Sequence, residues 1–273
     1  MSLIQAIILG IVQGLSEFLP ISSSAHLVIV PYLLNWSLDP TQAFVFDVLV
    51  QLGTLVAVLV YFWKDLVTIV TSMIRGLKEH SFNENLEGRL GWLIILATIP
   101  AGLAGLLLKS NVEAAFNSPS LTSLMLLVTA GLLVAGEILS KKTRPAEAMT
   151  PLDALIVGLF QALSVFPGIS RSGATITGGL LRHFKREDAA RISFLMAIPI
   201  MLAAGLLAMV DLFAIPALAS FMPMVVVGFI IAAIVGYFAI RWFMGFLREK
   251  NLYPFAIYCA ALALITLIIT YVR

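Results

Sequence analysis

Six stretches of this chain are apolar for long enough to cross a bilayer: Ala43–Trp63, Gly91–Leu108, Leu121–Leu139, Ala189–Leu212, Met224–Ile240 and Pro254–Val272. A spanning helix needs roughly 20 such residues, so the pattern commits the chain to a membrane. An ordinary soluble domain carries about 25% charged residues. Here the share is 12%, against 60% hydrophobic. Met1 to Val12 hold no Lys or Arg, so the start lacks the charged region of a cleaved signal peptide and is expected to be retained. The single cysteine, Cys259, sits in an apolar run without a partner, and redox chemistry is not expected.

Two more apolar regions, Leu3–Leu34 and Leu152–Leu181, do not read as single spans, because Pro, Gly and a cluster of Ser interrupt each one midway. A break of this kind frees backbone N–H and C=O groups. At membrane depth such groups survive only when buried in protein or facing a polar cavity. Both regions are therefore read as re-entrant hairpins: helix, broken tip, helix, with both ends on one side.

The basic residues agree with this layout. Lys64, Arg75, Lys78 and Arg89 follow the first span, and Lys141, Lys142 and Arg144 follow the third. Arg182, Lys185, Arg186 and Arg191 follow the second hairpin, and Arg241, Arg248 and Lys250 follow the fifth span. Six crossings and two same-side hairpins place all of these on one face, with Lys109 and Arg273 on the other. By the positive-inside rule the crowded face is cytoplasmic. The first hairpin then enters from outside and the second from inside. The segment Lys64–Arg89 has no counterpart later in the chain and is expected along the cytoplasmic surface. Net charge is +2, and no nucleic-acid partner is expected.

An internal repeat supports the same picture. Ile8-Leu9-Gly10-Ile11-Val12-Gln13-Gly14-Leu15-Ser16 matches Ile156-Val157-Gly158-Leu159-Phe160-Gln161-Ala162-Leu163-Ser164 at a constant offset. The match continues through Phe18 with Phe166, Ile21 with Ile169, Ser22 with Ser170 and Ser24 with Ser172. An odd number of spans follows each copy, so the second copy should be inverted, an architecture in which broken helices meet at the midplane. The expected fold is all-α integral membrane: six transmembrane helices plus two re-entrant hairpins. It forms one membrane domain, 1–273, made of pseudo-repeats at about 1–140 and 150–273.

The copies differ where chemistry is expected. Glu17 faces Val165 in the alignment, and Ser23 faces Arg171, so one tip carries a carboxylate and the other a guanidinium. An ionisable group at this depth is a functional-site hypothesis by default. Gln13 and Glu17 are four apart and share a helix face. Their oxygens suit a hard cation that keeps waters and phosphate oxygens as its other ligands; the plainer alternative is that Glu17 simply pairs with Arg171. Ser22, Ser23 and Ser24 exceed what a helix cap needs, and His26, one turn on, is within reach as base, nucleophile or orienter. It could equally be a hydrogen-bonded core histidine. Asp47 and Gln51 could support the site or join helices, while His80 and His183 lie in basic loops and receive no role. A helix start beside an arginine, as in Pro167–Thr175, is a ready phosphate site. Cations, hydroxyls and a nucleophile among apolar helices point to phosphoryl transfer on a lipid phosphate or diphosphate.

Gln13-Gly14-Leu15-Ser16-Glu17 with Phe18-Leu19-Pro20-Ile21-Ser22-Ser23-Ser24-Ala25-His26 resembles the (E/Q)xxxE and Ser/His signature of the undecaprenyl-diphosphatases, the bacitracin-resistance family. Pro167-Gly168-Ile169-Ser170-Arg171-Ser172-Gly173-Ala174-Thr175 resembles its PGxSRSxxT motif. The resemblance implies hydrolysis of undecaprenyl diphosphate to the monophosphate in the bacterial inner membrane, at a site open to the outer face. It implies catalytic roles for Glu17, Ser23, His26 and Arg171, with Ser23 as nucleophile and His26 its partner, although His26 and metal-bound water stay open as the attacker. It implies Gln13 and Glu17 as ligands of Mg²⁺ or Ca²⁺, and Ser22, Ser24, Ser170, Arg171, Ser172, Gly173 and Thr175 around the phosphates. Many members have Glu where this chain has Gln13, which should weaken metal binding. The alternative function is a secondary transporter or lipid flippase, since inverted repeats with broken helices recur there. Oligomeric state is left open.

Overall fold

The computed structural model describes residues 1–79, 85–116, 118–212 and 218–272; His80 and Arg273 lie outside this set. Among the described residues twelve α-helices run in order: α1 (Leu3–Ser16), α2 (Ser23–Leu33), α3 (Pro40–Tyr61), α4 (Trp63–Glu79), α5 (Leu86–Leu107), α6 (Lys109–Phe116), α7 (Pro119–Leu139), α8 (Pro151–Leu163), α9 (Arg171–Leu181), α10 (Arg186–Leu212), α11 (Leu218–Glu249) and α12 (Tyr253–Val272). A short 3-10 turn, Ala146–Ala148, precedes α8. The described residues contain no strand beyond one bridge between Arg144 and Phe184. The regular structure of the described residues is all-helical.

Among the described residues six helices, α3, α5, α7, α10, α11 and α12, are long and apolar enough to cross a bilayer, with qualifying segments of 20 to 29 residues. At 1.5 Å per residue the shortest covers about 30 Å, the thickness of the hydrocarbon core. These are the six stretches expected from sequence. Their ends extend further, because helix geometry continues past the apolar run: α10 begins at Arg186, and α11 carries Arg241 and Arg248 on its last turns.

Both interrupted regions are two short helices around a non-helical tip. The breaks follow from local chemistry. Ser22, at φ 67°, caps α2 by accepting the Ala25 N–H at 3.3 Å. Its repeat counterpart Ser170 caps α9 by accepting the Gly173 N–H at 3.1 Å. Gly168 sits at φ 101°, and a Cβ there would run into the Thr122 carbonyl of α7, so this turn needs glycine on both counts.

Helix packing relates the two halves. α1 lies against α11, and α8 lies against α5. Gly10 and Gly158, equivalent in the repeat, each permit this approach. A Cβ on Gly10 would lie 2.8 Å from the Gly228 carbonyl oxygen, and one on Gly158 would lie 2.5 Å from that of Ala97. α3 packs on α10, and α7 packs on α12.

One end of the bundle gathers charge. Arg191 reaches Asp65 at 2.9 Å, Glu147 at 3.4 Å and Glu87 at 3.5 Å, joining α10 to α4, α5 and the turn before α8. Arg186 and Lys142 meet Glu137 at 2.6 and 3.1 Å, and Glu137 also accepts the Leu252 N–H at 3.0 Å. Fully buried Asp153, in the first turn of α8, takes Arg144 at 2.6 Å and Arg182, just past α9, at 2.5 Å. The start of α8 and the end of α9 therefore meet at this end. α1 runs in the same direction as α11, with Gly10 beside Gly228 and Gly14 beside Val235 and Gly236, and so starts from the opposite end.

The segment after α3 is a 17-residue helix. α4 buries Ile69, Ser72 and Gly76 against α5 and turns Trp63, Val67, Val70, Ile74 and Leu77 outward. Those five recur every three or four residues, forming one apolar stripe on a helix otherwise rich in polar residues.

Candidate active site

The two tips meet. Arg171, the first residue of α9, directs Nη2 to Glu17 Oε1 at 2.8 Å, although 154 residues separate them in the chain. Glu17 is almost completely buried and Arg171 is partly so. Reciprocal bonds hold the tips together: Ser172 Oγ donates to the Leu19 carbonyl at 3.1 Å, and the Gly168 N–H donates to Ser24 Oγ at 3.4 Å. α7 anchors the second tip, since Thr129 Oγ1 donates to the Gly168 carbonyl at 2.8 Å and accepts the Ser170 N–H at 2.9 Å.

Glu17 accepts four hydrogen bonds. Besides Arg171, its Oε1 accepts Gln51 Nε2 at 3.3 Å. Its Oε2 accepts Ser23 Oγ at 2.5 Å and Gln13 Nε2 at 2.9 Å. The Ser23 contact has the length of a charge-assisted O–H···O⁻ bond. An unpaired buried carboxylate would cost several kcal/mol; here the guanidinium and three neutral donors offset that cost. Arg171 is not spent by this: its Nε is buried without a protein partner.

These groups open on a cavity of about 280 Å³. Gln13, Glu17, Ser22, Ser23, Ser24, Ser170 and Arg171 line it, together with Asp47, Gln51 and Gln161. Leu27, Phe44, Val48, Phe116 and Ile200 supply much of the remaining wall, so a polar floor lies among apolar sides. The cavity lining does not include Ser172, Gly173, Thr175 or His26. Thr175 Oγ1 donates to the Arg171 carbonyl at 2.7 Å and lies 2.6 Å from Ser193 Oγ of α10, holding the start of α9 in place. His26 has both ring nitrogens engaged, Nδ1 with the Ser22 carbonyl at 2.8 Å and Nε2 with the Tyr258 hydroxyl at 2.7 Å. No hydrogen bond joins it to Ser23.

The donor set fits a hard cation. Gln13 spends Nε2 on Glu17, leaving Oε1 buried without a protein partner in the cavity that Glu17 and Asp47 also line. Carboxylate and amide oxygens of this kind suit Mg²⁺ or Ca²⁺, with phosphate oxygens completing the shell. The described residues contain no group of three or more His, Cys, Asp or Glu that could hold a metal ion, so a hard cation here would draw most of its shell from water and phosphate oxygens.

Sequence reasoning passed over several residues found here. Thr54 accepts Gln13 Nε2 at 3.4 Å, Thr129 braces the second tip, Ser193 meets Thr175, and Tyr258 holds His26. All four come from full spans, where one hydroxyl in an apolar helix carries no signal of its partner. Gln161 was visible as the counterpart of Gln13 and was given no role.

Residues 6–265 match the family described as bacitracin resistance protein BacA. The chain belongs to the bacitracin resistance protein BacA family. Relatives agree over nearly the full length of both chains. A protein of Thermobifida fusca named undecaprenyl-diphosphatase is 43% identical over 267 residues, 98% of this chain and 90% of its own. One of Myxococcus xanthus with the same name is 43% identical over 269 residues, covering 98% and 89%. Another of that name, from Methanosphaera stadtmanae, is 42% identical across 100% of this chain and 99% of its own. Both BacA motif regions, Gln13–His26 and Pro167–Thr175, fall within the matched residues.

Proposed function

We propose that this chain hydrolyses undecaprenyl diphosphate to undecaprenyl phosphate and inorganic phosphate. That reaction returns the lipid carrier to peptidoglycan and other cell-wall polymers and confers resistance to bacitracin. The observation that carries the reading is the meeting of Ser23, Glu17 and Arg171 in one cavity with apolar walls. The names and coverage of the BacA relatives support it.

The chemistry assigned to these residues is in-line phosphoryl transfer. Arg171, held at Nη2 by Glu17, keeps an unpartnered Nε for the diphosphate and neutralises its charge. Ser23 Oγ attacks the terminal phosphorus as its proton passes to Glu17 Oε2. The new Oγ–P bond forms, the bridging P–O bond breaks, and undecaprenyl phosphate leaves. Water then cleaves the phosphoserine, the released inorganic phosphate departs, and Ser23 regains a proton. Glu17 thus takes the base role, while His26 fixes the first tip through Ser22. Ser22 and Ser24 share one hydrogen bond at 3.1 Å, which leaves one of their two hydroxyls to donate toward phosphate oxygens, while Ser170 donates to Ser172 at 3.2 Å. A divalent cation, Mg²⁺ or Ca²⁺, held by Glu17 and Gln13 would supply further charge neutralisation when bound.

The interrupted regions are assigned as re-entrant hairpins and the halves as an inverted repeat. The Asp153–Arg182 contact closing the base of α8 and α9 supports this, as do the matched packing of α1 on α11 and α8 on α5 and the paired glycines. With the charged end cytoplasmic, the multi-pass protein sits in the bacterial inner membrane with its cavity open to the outer face.

Purified protein in detergent should release phosphate from undecaprenyl diphosphate. No release with or without Mg²⁺ or Ca²⁺ overturns the phosphatase reading and leaves a transporter or flippase standing.

A further inference from the structure

Gln161 is 1% exposed, and both polar atoms of its amide are buried without a protein partner. Native proteins pair nearly all such atoms, and each exception calls for a physical reason. Among the described residues no other side chain leaves both an amide donor and an amide acceptor unmatched in this way. Gln161 also lines the cavity that holds Glu17, Ser23 and Arg171.

The repeat explains how this came about. Gln13, its counterpart, donates Nε2 to Glu17 one turn later. In the second copy the residue one turn after Gln161 is Val165, which offers no acceptor. The second copy has the glutamine without the carboxylate that partners it in the first. Gln13 consequently keeps only an unmatched oxygen, whereas Gln161 keeps an unmatched N–H donor and an unmatched oxygen together. A carboxylate at this position would repel a diphosphate, and a lysine would compete with Arg171 for Glu17. A neutral amide does neither.

We propose that Gln161 contacts the substrate, donating Nε2–H to a non-bridging phosphate oxygen and accepting at Oε1 from the water that cleaves the phosphoserine. It is the second tip's positioning group for the diphosphate, beside Arg171. The inference rests on the phosphatase reading for its water-directed half alone; contact with a diphosphate can be tested without turnover.

The substitutions Gln161→Leu and Gln161→Met remove the unmatched atoms while keeping the volume. If the amide serves the substrate, both variants should unfold at or above the wild-type temperature in detergent, since no protein hydrogen bond is lost. Their kcat/KM should fall by roughly 10- to 100-fold, the scale of one hydrogen bond to a charged group. The second readout is the rise in unfolding temperature on adding farnesyl methylenebisphosphonate, a non-hydrolysable diphosphate lipid. Wild type should show the rise and both variants should lose most of it. Unchanged kcat/KM or an undiminished rise in the variants would overturn the proposal, as would a drop in unfolding temperature that accounts for the lost activity. A wild type that binds the bisphosphonate yet releases no phosphate would instead sink the phosphatase reading, leaving the bisphosphonate comparison to decide the role of Gln161.

Discussion

Glu17 and Arg171 come from tips 154 residues apart and pair at 2.8 Å with little access to solvent. Each is the other's main compensation for burial, so removing one strands a charge. Arg171→Ala should cost about 3–5 kcal/mol in stability and roughly 1000-fold in turnover. The double variant Glu17→Gln with Arg171→Met should regain most of the stability and none of the activity. Thermal unfolding and phosphate release on the same preparations check this. A double variant as unstable as the sum of the single ones would show that the two side chains act independently.

Ser23 donates to Glu17 at 2.5 Å, while His26 is tied to Ser22 and Tyr258. Ser23→Ala should therefore abolish both turnover and any acid-trapped phosphoprotein. His26→Ala and Tyr258→Phe should still form it, with turnover lowered by roughly 10-fold through a loosened tip. Quenched reactions with β-³²P-labelled substrate read this directly. Phosphoprotein persisting in Ser23→Ala and missing in His26→Ala would transfer the attack to the histidine.

Much of this was legible from residue types and periodicity. The six spans follow from length and apolarity alone, and the two tips from Pro20, Pro167, Gly168 and the serine clusters. Charge difference between the copies singled out Glu17 and Arg171 before any coordinates. The rest depends on distances between elements. Nothing in sequence says that Tyr258 reaches His26 across 232 residues, or that Thr175 turns into α10 and away from the cavity. The α4 stripe was written in Trp63, Val67, Val70, Ile74 and Leu77, but the charged residues between them make the segment read as a loop.

Gly10 and Gly158 carry equivalent close approaches in the two halves. Gly10→Val and Gly158→Val should each destabilise by about 1–3 kcal/mol through overpacking, because the carbonyls of Gly228 and Ala97 cannot move far. Gly131 in α7 is the control: a Cβ there meets nothing within 4 Å, so Gly131→Ala should be neutral or slightly stabilising. Equal tolerance at all three sites in thermal unfolding would remove the glycines from the packing argument.

Gln13 keeps an unmatched amide oxygen and lines the cavity beside Glu17. Gln13→Glu adds a negative charge beside Glu17, so activity should saturate at a lower Mg²⁺ or Ca²⁺ concentration, by roughly 10-fold. Without added cation the same variant should be less stable than wild type, because two carboxylates would then share Arg171. An unchanged titration midpoint with unchanged stability would argue that Gln13 touches no metal.

The charged end of the bundle should face the cytoplasm. From a Cys259→Ala background, Lys64→Cys, Lys141→Cys and Lys250→Cys each place a thiol on an exposed residue at that end, and Ser37→Cys places one on the connection at the other end. A membrane-impermeant maleimide added to intact spheroplasts should label only the position 37 thiol, and opened vesicles should expose all four. Because Lys141 and Lys250 flank the second hairpin and two further spans, they share a side only if α8 and α9 enter and leave together. Labelling of position 141 from one side and position 250 from the other would mean that the hairpin crosses, and the inverted repeat would fall with it.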